Sequence, residues 1–318
     1  MGDNKKRISI VSGCYNEEGN LQEFYDRIIK VMNQFPQYSY EIIIADNCST
    51  DGSRDILRRI AAYDKSFKVI FNANNFGSQR SGYNAFLQAS GDAVVLMSSD
   101  LQDPPELIGD MIIKWEAGYQ VVVAIKNQSK ENQLMFFLRR CYYRLLSKIA
   151  DTGELLLNFT GCGLYDRRFM NALKKYNEPV PYFRDLVNEI GFRRTEIEFI
   201  QPRRKYGQSK HNFFTLYDIA MSGFVSHSKL PLRLATFSGF CLAGISLLIS
   251  MGYLIYKLLY WKTFSLGLAP VVIGLFFFSA VQLIFTGIVG EYVGAILTQV
   301  KNHPLVIEDE RINFDDIV

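Results

Sequence analysis

A loop with an acid and an amide follows an apolar run in the middle of the chain. Asp100 and Gln102 come directly after residues 93–97, a run whose length and composition are typical of a buried strand. In an open α/β sheet, ligands bind at the carboxyl ends of the parallel strands. A carboxylate oxygen and an amide oxygen two residues apart can both reach one hard divalent cation there. Because Pro104 and Pro105 suit the first turn of a helix, a plain polar turn is the alternative interpretation.

Polar side chains also follow two earlier apolar runs. Asp46 ends an Ile-rich run, and a carboxylate in that position can accept hydrogen bonds from a uracil N–H or from ribose hydroxyls. An Asx turn or a helix cap is its alternative role. Asn75 and Gly77, with Arg80 nearby, offer an amide, a flexible backbone and a cation to a nucleotide phosphate or base. Each signal is weak alone, but their recurrence after three consecutive predicted strands favours a nucleotide site at one sheet edge.

Short apolar runs that alternate with amphipathic stretches predict the scaffold for these residues. Strands are predicted over 8–12, 41–46, 69–71, 93–97, 121–124 and 195–200, and helices over 20–35, 51–64 and 131–150. The alternation predicts a mostly parallel sheet with helices on both faces. No Gly-x-Gly-x-x-Gly follows the first strand, so a dinucleotide-binding fold loses its main support.

Two long uncharged segments near the C-terminus predict membrane spans. No charged residue lies between Arg233 and Lys257 or between Lys262 and Glu291. As helices, these segments would extend about 35 and about 42 Å, enough for a hydrocarbon core of about 30 Å. Buried helices of a soluble protein are the alternative, but such helices rarely run this far without a charge. We expect spans over 232–258 and 264–292.

The distribution of basic residues predicts the orientation of the spans. Basic residues are dense before the first span, so the positive-inside rule makes that side cytoplasmic, although Lys257 and Lys262 weaken the asymmetry. We expect a cytoplasmic α/β domain over 1–210, an interfacial amphipathic helix over 211–230, two spans within 231–300 and a cytoplasmic tail over 301–318. No signal peptide is expected, since the basic residues near the start lead into only a short apolar strand.

Composition disfavours several other classes of protein. The net charge is only +3, so nucleic acid is not indicated as a partner. The five cysteines form no close-spaced pair and are expected to be reduced. The three histidines are too scattered to indicate a zinc site.

Five short motifs, spread over most of the chain, carry a family resemblance when they are taken together. They are Tyr15-Asn16-Glu17-Glu18, Asp46 with Ser49-Thr50-Asp51-Gly52, Asn75-Phe76-Gly77, Asp100-Leu101-Gln102-Asp103-Pro104-Pro105-Glu106, and Arg204-x-x-Gly207-x-Ser209-Lys210. With them the chain resembles family 2 glycosyltransferases of the GT-A fold, in the polyprenyl-phosphate branch that includes bactoprenol glucosyl transferases and dolichol-phosphate mannose synthases. The likeness covers nearly the whole chain, including the paired C-terminal helices.

The resemblance implies an α/β GT-A domain with a two-helix C-terminal transmembrane hairpin, and it implies roles for individual residues. Asp100 and Gln102 would hold Mg²⁺ or Mn²⁺ against the donor diphosphate, with Asp100 and Arg204 counted as catalytic. Arg204 and its neighbours would hold donor or lipid phosphate, although basic residues beside a membrane can simply meet anionic head groups. The residues expected to bind the donor or its phosphates are Asp46, Asn75, Gly77, Arg80, Ser209 and Lys210.

The chain departs from the family pattern at three places. Ser98 stands where the family commonly has the first carboxylate of Asp-x-Asp, and Asp103 is a candidate replacement ligand. Asn47 and Cys48 replace a common Asp-Gly pair. Residues 158–164 contain no Asp, although many relatives carry a catalytic Asp there.

The missing catalytic Asp does not exclude transfer to a lipid phosphate. Such a phosphate, with a second pKa of about 6, is already largely ionised at neutral pH, so it needs no side chain to deprotonate it. If a base is used, Glu189 or Asp185 is the candidate, and a solvated helix residue is the alternative role for each.

The resemblance implies inverting transfer of a hexose to undecaprenyl phosphate at the cytoplasmic face of a bacterial membrane. The donor would be a nucleotide-sugar, with UDP-glucose or a related UDP-sugar favoured. A degenerate transferase domain that binds nucleotide-sugar and acts as a scaffold in glycan assembly is the alternative. A processive polysaccharide synthase is disfavoured, because the chain has two predicted spans and no Gln-x-x-Arg-Trp motif. We expect a homo-oligomer, because small residues in the spans allow close packing against neighbouring helices, and the family resemblance implies a tetramer. These small residues are Gly239, Gly244, Gly287, Gly290 and Gly294.

Overall fold

The protein divides into two compact units. The computed structural model describes residues 5–128, 159–176, 183–202, 230–260, 268–301 and 303–314. One unit comprises Met1–Arg144, Thr152–His211 and Lys301–Val318, and the other comprises Leu145–Asp151 and Asn212–Val300. The first unit is an α/β domain, and the second contains two long apolar helices. The predicted helix over 131–150 lies outside the described residues, as does all but the last residue of the predicted helix over 211–230.

One mixed sheet organises the α/β unit. Its strands are β1 (Arg7–Cys14), β2 (Ser39–Asp46), β3 (Phe67–Asn72), β4 (Ala93–Leu96), β5 (Val121–Gln128), β6 (Phe159–Asp166), β7 (Arg194–Ile200) and β8 (Glu308–Ile312). In the described residues they form an eight-stranded sheet in the order β7-β5-β6-β4-β1-β2-β3-β8. β6 and β8 pair antiparallel with their neighbours, and the other pairs are parallel. The six parallel strands therefore end at a common edge, called here the carboxyl edge.

Helices cover both faces of this sheet. The helices of the unit are α1 (Leu21–Met32), α2 (Ser53–Tyr63), α3 (Ser78–Gln88), α4 (Leu107–Glu116), α5 (Arg167–Leu173) and α6 (Phe183–Ile190). One core contains side chains of α1, α2 and α4, and the other contains side chains of α3, α5 and α6. Ile42 and Ile44 of β2 enter the first core, and Ile43 enters the second, because successive strand side chains point to opposite faces. The predicted α/β class, a mostly parallel sheet with helices on both faces, is confirmed.

A buried ion pair stabilises the start of β2. Glu41 is 2 % exposed and lies 2.8 Å from Lys68 Nζ. Its carboxylate also accepts hydrogen bonds from Ser9 Oγ at 2.6 Å and from Ser90 N at 2.8 Å. Burial alone would raise the pKa of Glu41, but these hydrogen bonds and the lysine charge outweigh it and lower the pKa to about 2.

Two strands of the sheet were not predicted from the sequence. β6 contains Gly161 and Gly163, residues that weaken a strand pattern. β8 has the sequence EDERI, which is too charged to match a buried strand but is suited to a sheet edge. β8 comes from the predicted C-terminal tail, so part of that tail belongs to the sheet.

The second unit contains α7 (Leu230–Leu259) and α8 (Leu268–Val300). Leu232–Leu259 and Gly274–Leu297 have mean hydropathies of 1.9 and 1.7, and neither is buried within the protein. Large apolar side chains are open on both helices, with Phe240 74 % and Leu283 72 % exposed. The core helix of a soluble protein would be mostly buried, so length, composition and exposure all fit helices that could cross a membrane. α8 runs eight residues beyond the predicted end of the second span.

Candidate active site

Four loops follow β1, β2, β3 and β4 at the carboxyl edge. Cys14 pairs with Asp46, and Asp46 pairs with Phe71, so the first three of these strands end side by side. Val11 pairs with Leu96, which brings the end of β4 beside β1. The prediction that the polar residues after three consecutive strands share one edge is confirmed.

Hydrogen bonds join the loop after β1 to the loop after β2. Asn16 N donates to Ser49 Oγ at 2.9 Å, and Thr50 N donates to Asn16 Oδ1 at 2.8 Å. Gly52 N donates to Glu18 Oε2 at 2.7 Å. The motifs at residues 15–18 and 49–52 therefore form one structural unit, although they lie more than thirty residues apart in the sequence.

Asp46 is fully buried beneath these two joined loops and forms an ion pair with an arginine. Arg54 Nε lies 2.8 Å from Asp46 Oδ2, and Arg54 Nη2 donates to the carbonyl of Asn72 at 2.9 Å. Ser49 N also donates to the carboxylate, at 3.2 Å. Burial first, and the Asp46 charge second, raise the pKa of the neighbouring Cys14 thiol, so that thiol stays protonated. The carboxylate thus fixes the position of the β2 loop, and no local pattern in the sequence indicates Arg54 as its partner.

Asn47 connects the loop after β2 to the loop after β3. Its Nδ2 donates to Asn75 Oδ1 at 2.7 Å, while its Oδ1 accepts from Phe76 N at 3.0 Å. Asn75 Oδ1 also accepts from Gly77 N at 3.0 Å. An amide supplies both a donor and an acceptor, which the aspartate common in the family cannot do when it is ionised. Asn47 is therefore a structural link between two loops of the edge, a role that its departure from the family pattern does not indicate.

Gly77 and Arg80 lie where the chain enters α3. Gly77 has φ +85°, a left-handed conformation that favours glycine, and α3 begins at the next residue. Arg80 Nη2 donates to the carbonyl of Pro304, and its guanidinium lies 5.9 Å from the centre of the Phe76 ring. Arg80, expected to bind a nucleotide phosphate, thus contacts the C-terminal segment.

The loop after β4 holds Asp100 by local hydrogen bonds. Asp100 Oδ1 accepts from Ser98 Oγ at 2.7 Å and from Gln102 N at 3.1 Å. Leu101 between them has φ 59°, and the tight turn places the backbone N–H of Gln102 against the Asp100 carboxylate. Ser98, which replaces a carboxylate of the family pattern, orients Asp100 by its hydroxyl.

Asp103 closes the base of the same loop. It is 5 % exposed, and its Oδ2 accepts from Ser98 N at 3.1 Å. The pKa of Cys162 on β6 is raised by burial and further by the charge of Asp103. Asp103 thus shapes the loop from inside, and its suggested role as a replacement metal ligand stays a prediction.

The β4 loop fits a hard divalent cation that shares its coordination with a substrate. Asp100 is partly buried at the edge and, with the Gln102 amide, offers only oxygen ligands. Among the residues that the structure describes, no three His, Cys, Asp or Glu side chains converge as a metal cluster. Mg²⁺ is usually bound through one or two carboxylates plus substrate phosphates, so a single carboxylate is compatible with such a site.

The structure does not bring Glu189, one of the two candidate bases, to this edge. Glu189 is exposed near the end of α6, five residues before β7 begins at Arg194. Arg194 pairs with Val121, where the parallel strands start, so Glu189 lies at the edge opposite to Asp100. Asp185 belongs to the same helix. Arg204, Ser209 and Lys210 lie outside the described residues.

Comparisons with known proteins agree with the predicted resemblance. A profile of the family described as Glycosyl transferase family 2 matches residues 9–173. The chain is 34 % identical over 304 residues to the uncharacterized glycosyltransferase YkcC of Bacillus subtilis (strain 168), across 95 % of this chain and 93 % of the relative. It is 30 % identical over 302 residues to the bactoprenol glucosyl transferase of Shigella phage SfII, across 95 % and 97 %. A solved glucosyl-3-phosphoglycerate synthase of Mycobacterium tuberculosis, in complex with Mn²⁺, UDP and phosphoglyceric acid, aligns with a TM-score of 0.47 at 17 % identity, over 69 % of this chain and 76 % of that one.

Proposed function

The chain belongs to glycosyl transferase family 2 and has the expected GT-A fold, and on that premise we propose that it transfers a hexose from a nucleotide-sugar to polyprenyl phosphate. The donor is UDP-glucose or a related UDP-sugar, and the anomeric configuration is inverted. The observation that carries the proposal is the junction of four polar loops at the carboxyl edge, in a chain with two exposed apolar helices. The chain is similar to relatives named bactoprenol glucosyl transferase over nearly their whole length, and this similarity supports the lipid acceptor.

The donor nucleotide is bound by the loops after β2 and β3. Asp46 and Asn47 determine the position of these loops, and Asn75 and Gly77 present polar backbone and side-chain atoms at their surface. The N-terminus of α3 follows Gly77, and its free amides and helix dipole favour a phosphate there. This placement of the nucleotide gives a purpose to the hydrogen bonds that join the loops after β2 and β3, since a fixed pair of loops presents a fixed binding surface.

Asp100 and Gln102 would hold Mg²⁺ or Mn²⁺ against the donor diphosphate. When bound, the ion neutralises the negative charge that develops on the leaving nucleoside diphosphate. Ser98 supports this role by orienting the Asp100 carboxylate through its hydroxyl.

An oxygen of the acceptor phosphate attacks the anomeric carbon from the face opposite to the leaving group. The new bond joins that carbon to the phosphate oxygen, and the bond to the nucleoside diphosphate breaks. The acceptor is ionised already at neutral pH, so no base is required. The position of Glu189 at the far edge is consistent with this scheme, and Arg204, Ser209 and Lys210 are assigned to the acceptor or donor phosphates.

The proposed setting is the cytoplasmic membrane of a bacterium. In this setting α7 and α8 cross the membrane, and the α/β domain is in the cytoplasm. The protein forms a homo-oligomer, which the family resemblance implies to be a tetramer. The density of basic residues before the first span supports this orientation.

The decisive experiment is transfer of radiolabelled sugar to undecaprenyl phosphate in vesicles, with Mg²⁺ or Mn²⁺ and a panel of nucleotide-sugars. We expect a lipid-linked product from at least one UDP-sugar. The Asp100→Ala variant should lose turnover by at least about a hundredfold with an unchanged melting temperature, because it removes the carboxylate of the metal site. No product from any donor would end the proposal, and tight donor binding without turnover would favour the scaffold alternative.

A further inference from the structure

The segment after α8 runs along the loop that follows β3. Residues 73–80 are called here the donor loop, and residues 303–314 the C-terminal clamp. Ala73 N donates to the carbonyl of Ile307 at 2.9 Å, at the start of the donor loop. Arg80 Nη2 donates to the carbonyl of Pro304, at the end of the donor loop. Two main-chain oxygens of the clamp, three residues apart, therefore hold the donor loop at both of its ends.

The clamp itself is firmly held by the α/β domain. β8 pairs with β3 from Asn72 opposite Glu308 to Val69 opposite Ile312. Asn84 Nδ2 donates to Glu308 Oε1 at 2.8 Å, so α3 also contacts the clamp. Beyond β8, the Asn313 amide donates to backbone carbonyls of the domain at 2.7 and 2.8 Å. A segment with this many fixed points can restrain the donor loop.

The opposite side of the donor loop is bonded to Asn47, through Asn75 and Phe76. The loop is thus held between the end of β2 on one side and the clamp on the other. A loop that is ordered before its ligand arrives binds more tightly, because the entropy of ordering is not lost on binding.

We propose that the C-terminal clamp preorders the donor loop for the nucleotide, and that Arg80 is a positioning residue acting through Pro304. This inference rests on the proposed function, since it assumes that the donor loop binds the nucleotide. It differs from the expectation drawn from the sequence, in which Arg80 would contact a nucleotide phosphate or base directly.

The test is a double-mutant cycle on UDP affinity, measured by calorimetry on the full-length protein in detergent with Mn²⁺. The variants are Arg80→Gln, a truncation that removes residues 303–318, and the two combined. We expect Arg80→Gln to weaken UDP binding about fivefold to tenfold, the cost of one charge-assisted hydrogen bond. In the truncated protein, the same substitution should change affinity by less than about twofold, because the partner of Arg80 is already gone.

A matched control is Arg58→Gln. Arg58 also contacts the clamp, at 2.7 Å from Glu310, but from α2 and away from the donor loop. We expect its UDP affinity to equal that of the wild type. If the truncated protein does not fold, Asn313→Ala replaces the truncation in the cycle, because it removes the bonds that hold the clamp to the carbonyls of Ala61 and Phe67. The loss caused by Arg80→Gln should then be smaller in the Asn313→Ala background than in the wild type.

The outcomes distinguish failure of the clamp proposal from failure of the proposed function. Equal losses from Arg80→Gln in the intact and the truncated chain would make Arg80 a direct ligand and overturn the clamp. If the wild type binds UDP and the Arg80→Gln variant binds it equally well, the clamp is overturned and the proposed function is left intact. A wild type that does not bind UDP would remove the donor assignment and the clamp together.

Discussion

Replacing Arg54 by Met should destabilise the protein far more than the same replacement at Arg58. Both guanidinium groups lie against the Phe71 ring, with centroid distances of 5.1 and 4.5 Å. Their carboxylate partners differ, because the side chain of Asp46 is 0 % exposed and that of Glu310 is 40 % exposed. The pair of substitutions therefore keeps the ring contact in common and compares a buried with an exposed carboxylate, while Arg54 also loses its bond to the carbonyl of Asn72.

The expected magnitudes follow from burial. Removing one partner of a buried ion pair typically costs about 3–5 kcal/mol, and partial exposure of Arg54 reduces this to about 2–3 kcal/mol. The pair of Arg58 with Glu310 is solvent-exposed and should contribute less than about 1 kcal/mol. For a domain of this size, about 1 kcal/mol corresponds to about 2–4 °C in melting temperature. Arg54→Met should therefore lower the melting temperature by about 5–10 °C, and Arg58→Met by less than about 4 °C.

The assay is thermal unfolding of the full-length variants in one detergent, followed by intrinsic fluorescence. The Asp46→Asn variant provides a further check, because a neutral amide does not need a cation. In that background, Arg54→Met should cost less than about 1 kcal/mol. Equal shifts for Arg54→Met and Arg58→Met, or an undiminished cost beside Asn at position 46, would refute the reasoning.

Three further predictions concern other polar contacts. Asn47→Asp should weaken UDP binding about threefold to tenfold in calorimetry, because the carboxylate loses its donor bond to Asn75 Oδ1. Ser98→Ala should weaken Mn²⁺ binding in the presence of UDP, measured by electron paramagnetic resonance, while Ser98→Asp should strengthen it by adding a second carboxylate beside Asp100. Glu41→Gln should be less stable than the wild type near neutral pH, and the gap should shrink as pH falls from about 4.5 towards 2, because a lowered pKa gives stability that is lost when the carboxylate is protonated.

These predictions would fail in distinct ways. Wild-type UDP affinity in Asn47→Asp would mean that the joined loops do not affect the nucleotide. Unchanged Mn²⁺ binding in both Ser98 variants would remove Asp100 from the metal site. A stability gap at Glu41 that stays constant from pH 6 to pH 2.5 would show that its ionisation does not contribute to folding.

The sequence was informative wherever local pattern decides structure. Strands buried on both faces, such as β1 and β2, are rich in β-branched apolar residues, and the sequence predicts their ends to within two residues. Asp100 and Gln102 were also predicted together, because the turn that joins them is formed by adjacent residues.

Features that depend on distant contacts were missed. Arg54 reaches Asp46 and Asn72 only after β2, α2 and β3 have packed, so nothing in its neighbours in sequence indicates the ion pair. β6 needs glycine for a tertiary reason, since a Cβ at Gly163 would lie 2.5 Å from the carbonyl of Val122. The two-sided role of Asn47 likewise depends on the position of Asn75, which follows another strand.

The place of β8 in the chain sets an order on synthesis. A ribosome makes β1 to β7 first, then both apolar helices, and only then the strand that covers the free side of β3. Until that moment, the backbone of β3 has an unpaired side, which in general invites wrong association. The nascent domain thus completes its sheet last, after both long apolar helices have already emerged.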